Sequence, residues 1–142
     1  MIDVEKPPPT KEELESAQKQ DKERAAAEKL RKEQIAHDQN IVRIYGSEEV
    51  ILSARERKIS SIDGNIHVTE QLRQGIVLDL EELKTREQTK KVKALIKERE
   101  EAIKSYDEVI AQSKVERAKL EAKYDEILES FRNASNRLTS GS

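Results

Sequence analysis

Between Ile76 and Ala134 the chain has neither glycine nor proline, yet its apolar heptad changes phase once, between residues 84 and 91. A single straight helix would hold its phase, because side chains three and four apart share one face. Two antiparallel helices joined by a turn have no such constraint. The phase change therefore predicts a helical hairpin in which each thin helix buries an apolar stripe against the other. One continuous helix is the alternative, since the break contains no Gly, Pro or Asn.

Composition agrees with narrow seams. Of 142 residues, 39% are charged and 3% aromatic, too little large apolar material for a broad core. Charge at this density marks disorder unless it accompanies Ala, Glu, Lys, Leu and Arg in helical periodicity, as it does here. With 27 basic and 29 acidic side chains the formal net charge is −2, which gives no general attraction to nucleic acid or an anionic membrane. The chain lacks cysteine, which excludes disulfides and thiolate metal sites but fits either the cytosol or an envelope compartment. No run approaches the roughly 18 apolar residues that span a bilayer. The start, Met1-Ile2-Asp3-Val4-Glu5-Lys6, has no signal-peptide core. A cytoplasmic location is expected if Met1 is the native start, and an exported one if a leader has been trimmed.

Local signals divide the chain. Residues 1–10 form an arm whose Pro7-Pro8-Pro9 favours extended backbone. Thr10 with Glu13 is a capping box that starts a charged helix at Lys11, and this N-terminal segment is expected over 11–46. It carries the oriented pairs Glu15 with Lys19 and Glu28 with Lys32. Its weak stripe is Ala27, Leu30, Gln34, His37, Ile41 and Ile44. Gly46 closes that helix, and Ser47 before Glu48 and Glu49 caps the next. An antiparallel hairpin is expected over 47–137, with its turn near 88–91, followed by a frayed tail over 138–142. The fold class is all-α: a long coiled-coil hairpin preceded by a further helix and an extended Pro-rich arm.

In the second helix Ile59, Ile66, Arg73 and Leu80 fall at heptad position a, with Ile62, Thr69, Ile76 and Leu83 at d. In the third, Ile96, Ile103, Ile110, Arg117, Tyr124 and Phe131 fall at a, with Val92, Arg99, Tyr106, Ser113, Leu120, Ile127 and Ala134 at d. The apolar and aromatic members, from Ile59 to Leu83 and from Ile96 to Phe131, are the candidate interaction seam. Leu72 and Val77 widen one stripe, and Leu95, Ala102 and Leu128 the other, which favours a bundle of more than two helices. The first helix folding back, or a second hairpin, would complete it.

Two registers compete. One sets Arg73 against Arg99 and Arg55 against Arg117, repelling pairs in a partly dry seam. The other sets Arg73 against Tyr106 and Arg55 against Tyr124, where a guanidinium over a ring gains roughly 0.5–2 kcal/mol. It also pairs Leu83 with Ile96, Ile76 with Ile103 and Ile59 with Leu120. The second register is the expected one.

Tyr45-Gly46-Ser47-Glu48-Glu49, Ala54-Arg55-Glu56-Arg57-Lys58, Ser61-Ile62-Asp63 and Val68-Thr69-Glu70 resemble a group of uncharacterised proteobacterial cell-envelope proteins. The likeness extends more loosely to Phe131-Arg132, although relatives usually carry a Gly- and Pro-containing loop at the hairpin tip. It implies an exported, periplasmic coiled-coil protein and brings no catalytic residues.

Chemistry-bearing residues are sparse. His37 and His67 lie in different helices without ligand spacing, so no metal and no cofactor are expected. The carboxylate pairs Glu12-Glu13, Glu48-Glu49, Glu81-Glu82 and Glu100-Glu101 lack the pocket that a general acid needs. The sharpest local feature is a basic tip, Lys84, Arg86, Lys90, Lys91 and Lys93 around the single acid Glu87. The leading expectation is a non-catalytic structural or adaptor protein that meets a protein partner, or its own copy, through the seam. The alternative is a module whose basic tip contacts a lipid headgroup, an acidic polymer or nucleic acid.

Overall fold

The computed structural model describes residues 7–140. Three helices account for nearly all of them, and no strand occurs among the described residues: α1 (Lys11–Tyr45), α2 (Glu48–Thr85) and α3 (Lys90–Ser140). The part of the N-terminal arm before Pro7, and Gly141-Ser142, lie outside the described residues.

The helix ends follow from local chemistry. Thr10 and Glu13 form the reciprocal capping box: the Glu13 amide donates to Thr10 Oγ1 at 3.1 Å and the Thr10 amide to Glu13 Oε2 at 3.2 Å. Gly46 takes φ +78°, the left-handed conformation that ends a helix at little cost only for glycine. Ser47 then caps α2, its hydroxyl accepting from the Val50 amide at 3.3 Å. The continuous-helix alternative is overturned at the tip, where Arg86–Thr89 separate α2 from α3. The turn therefore begins two residues before the expected position. The Arg86 amide donates to the Leu83 carbonyl, and the Gln88 side-chain amide donates to the carbonyls of Leu83 at 3.3 Å and Arg86 at 2.8 Å. Thr89 Oγ1 accepts from the Val92 amide at 3.2 Å. Side chains thus satisfy the helix-end groups that a glycine loop would otherwise satisfy through backbone. α3 also continues through Leu138, Thr139 and Ser140 instead of fraying after Arg137.

The chain divides into two compact units, Met1–Ile44 with Asn133–Ser142, and Tyr45–Arg132. The division differs from the expected hairpin segment 47–137, because the last turns of α3 belong with α1. In the second unit α2 and α3 form an antiparallel hairpin. Every a and d residue named above within Tyr45–Arg132 is half-buried or buried. Burial is deepest toward the two ends, at Leu80 and Leu83 near the tip and at Ile51, Tyr124, Leu128 and Phe131 near the open end. Between them Ile59, Ile62, Ile66, Ile76, Ile103 and Ile110 stay half-buried.

In the first unit the buried face of α1 is rotated from the expected stripe. Leu30 and Ile44 are 65% and 63% exposed, and His37 is exposed as well. Of that stripe only Ile41 is half-buried, and the fully turned-in residue is Asp38, 1% exposed. A specific charged partner for Asp38 outweighs the weak apolar stripe in orienting the helix.

Candidate interaction site

Two arrays of side chains define the hairpin surface. Along the seam, arginines reach across to acids on the opposite helix: Arg73 Nε to Asp107 at 2.6 Å, Arg99 Nε to Asp79 at 2.8 Å, Arg117 Nε to Asp63 at 2.7 Å and Arg55 Nη2 to Asp125 at 3.5 Å. Arg132 with Glu48 adds a pair at the open end, and Arg117 also meets Glu121 within α3. All the cross-helix partners fall within one residue of the register that opposes Arg73 to Tyr106. The competing register is excluded, since Arg73 and Arg99 each engage an aspartate instead of one another.

One expected detail is corrected. Arg55 and Arg73 turn to Asp125 and Asp107 and do not lie over the tyrosine rings. The cation placed over a ring is Lys58, whose Nζ is 5.4 Å from the centroid of Tyr124. A guanidinium gains more from a carboxylate within hydrogen-bonding reach than from a ring face.

The electrostatics follow the ladder. Hydrogen bonding to Asp79 holds Arg99 more firmly protonated than usual, and Asp63 does the same for Arg117. The hydrogen bond from Arg132 lowers the Glu48 carboxyl below its ordinary range.

At the tip, Lys84, Arg86, Lys90, Lys91 and Lys93 are all exposed. Arg86 is held by Glu82 at 2.7 Å. The first turn of α3 contains no acid, so its lysines face the positive end of the helix, an arrangement that repels cations and leaves a local excess of positive charge.

The first unit carries a site that sequence reasoning missed. Asp38 accepts from Arg137 Nε at 2.9 Å and Arg137 Nη2 at 2.8 Å, and Gln34 Nε2 donates to it at 2.9 Å. The bidentate arginine outweighs desolvation and pulls the Asp38 carboxyl down to about 2, with Gln34 and His37 adding smaller contributions. An open cleft of about 510 Å³ lies beside this pair, lined by Arg31, Gln34, Ile35, Gln39 and Leu138. No group of three or more His, Cys, Asp or Glu side chains is placed to hold a metal ion among the described residues. No described helix is long and apolar enough to cross a membrane. Comparison with family models, curated proteins and solved structures gives no match for this chain.

Proposed function

We propose that the protein is a non-catalytic structural or adaptor element of the bacterial envelope, a register-locked hairpin whose seam is completed by a protein partner or by another copy. The observation that carries this reading is the half-burial of Ile59, Ile62, Ile66, Ile76, Ile103 and Ile110. Two helices close only the line between them and leave both edges of their apolar stripes wet. The ion-pair ladder holds those edges in a fixed register, which lowers the ordering cost of docking. The envelope location rests on the resemblance of the Tyr45–Glu70 stretch to exported coiled-coil proteins.

The test is photocrosslinking in the source cells, with a crosslinkable residue at Val77 on the seam edge or at Lys91 on the tip. The reading predicts one discrete protein adduct from position 77 that survives about 0.5 M salt, where exposed charge contacts are screened. Absence of any adduct at that position would refute it. Osmotic-shock fractionation checks the compartment, and recovery only with cytoplasmic markers refutes the envelope location.

The second reading, a basic tip on an anionic surface, is favoured by the cluster of exposed lysines beside the acid-free first turn of α3. Sedimentation with vesicles containing phosphatidylserine checks it. Binding should weaken steeply with salt and disappear on Lys90→Glu/Lys91→Glu.

A further inference from the structure

α2 has a second, mixed face opposite the seam. Its seam residues Ile62, Ile66, Arg73 and Leu80 lie on one side of the helix. At about 100° per residue, Val50, Gly64, Val68, Gly75 and Leu78 project from the other side, in line with Arg57 and Glu82 and interspersed with Ser53, Ser60 and Gln71. Val50, Val68 and Leu78 are 57%, 55% and 56% exposed, and Leu72 on the flank is 53% exposed. A Cβ added at Gly64 or Gly75 would meet nothing within 4 Å. Both glycines weaken the helix relative to alanine, yet nothing among the described residues packs closely enough to require them.

We propose that this outer face pairs with the same face of a second copy, α2 against α2, antiparallel about a two-fold axis. Two pairs on this face are symmetric about the point between Thr69 and Glu70, and Val68 there falls opposite Gln71. Gly64 lies as far before that point as Gly75 lies after it, and Arg57 as far before it as Glu82 lies after. A two-fold contact sets residue i against j and j against i. One axis at this point therefore places Gly64 against the partner's Gly75, Arg57 against the partner's Glu82, and Ser61 against the partner's Leu78.

Each pairing has a physical basis. Facing glycines let two backbones approach closely, and a serine leaves room for a leucine. The two Arg57–Glu82 pairs close the ends of a contact about 38 Å long. A parallel arrangement would oppose Arg57 to Arg57 and Glu82 to Glu82, so charge selects the antiparallel one. Glu82 already meets Arg86 within its own chain, but both side chains remain more than half exposed, at 61% and 56%, and the carboxylate has a second oxygen to offer. This surface lies opposite the seam and does not depend on the function proposed above.

The test uses the full chain in sedimentation equilibrium, with Arg57→Glu and Glu82→Arg studied singly and mixed. The wild type should weigh two chains. Each single variant opposes like charges at both ends, and its dimer should weaken at least about tenfold. In an equimolar mixture of the two variants both ion pairs are opposite in sign again, so a mixed dimer should form with affinity close to that of the wild type. Gly64→Leu should also be monomeric, with circular dichroism confirming that every variant keeps its helix content. A wild type that weighs one chain up to about 0.5 mM, dimerisation unaffected by either reversal, or a mixture that stays monomeric would each overturn the proposal.

Discussion

Gly64 and Gly75 offer a direct measure of how the hairpin is built, because each sits inside α2 with no contact that explains it. Both are exposed, neither has positive φ, and a methyl group at either position enters open space. Replacement by alanine should therefore raise stability through helix propensity and reduced unfolded-state entropy alone, by roughly 1 kcal/mol at each site. The sites are about 16 Å apart along the helix, far enough for the effects to add to roughly 2 kcal/mol. Urea unfolding followed by circular dichroism, at concentrations low enough to keep the chain monomeric, reads this sum directly. Thermal melts add the size of the cooperative unit. The double variant should shift the midpoint by roughly 8–16 °C if Tyr45–Arg132 melts alone, and by about half that if the whole chain melts together. Gly46→Ala is the control of opposite sign, since φ +78° costs a side chain about 1–2 kcal/mol. No gain at Gly64 and Gly75 would refute the reasoning, because it would mean that α2 is not an unbroken helix at those points in solution.

Three further predictions use the same hairpin and the first unit. Double cysteine variants at Ile76 with Ile103 and at Ile59 with Leu120 should oxidise to intramolecular crosslinks seen as faster gel migration, and failure of both would reject the register. Arg55→Met should leave the urea midpoint nearly unchanged, within about 0.5 kcal/mol, because Arg55 holds Asp125 only at 3.5 Å and its buried Nε has no acceptor; a large loss would show that this rung matters. The Asp38–Arg137 pair makes stability acid-sensitive. Asp38 has its folded pKa lowered to about 2, so its contribution is complete above the unfolded carboxylate pKa of roughly 4 and is lost as pH falls toward the folded value. The stability difference between wild type and Asp38→Asn should therefore shrink between about pH 5 and pH 2 in acid-urea titrations, and a difference independent of pH would exclude the ion pair as its source.

What could be read in the sequence was what local chemistry decides. The capping box at Thr10, the stop and restart at Gly46-Ser47, and the heptad positions of α2 and α3 each depend on residues within a turn or two of one another. The turn was displaced because Gln88 caps α2 with its side chain, a solution with no strong sequence signature. The face of α1 was missed for the opposite reason. Its orientation depends on Asp38 meeting Arg137, 99 residues away, and an aspartate in a charged helix otherwise reads as solvent-facing. The ladder was legible in principle: once Arg73 is set against Tyr106, each seam arginine of the mid-hairpin has an aspartate one residue from its opposite position.

That ladder also explains why the observed register prevails over the one in which Arg73 would face Arg99. On apolar pairing alone the rejected register looks better, since it would oppose Leu80 to Val92, Ile76 to Ile96, Ile66 to Tyr106 and Ile62 to Ile110. The observed one sets Leu80 opposite Arg99 and Ile62 opposite Arg117. These arginines keep side-chain exposures of 29% and 36%, so their stems lie along the seam while their guanidinium groups reach aspartates at its edge. The rejected register would instead bring two arginine pairs face to face and leave Arg99 and Arg132 with no acid within one residue of the opposite position. Surface ion pairs contribute little one at a time, but like charges confronted across a half-dry seam repel. The hairpin thus gives up some apolar matching to avoid that repulsion, and its arginines act chiefly by excluding the wrong alignment.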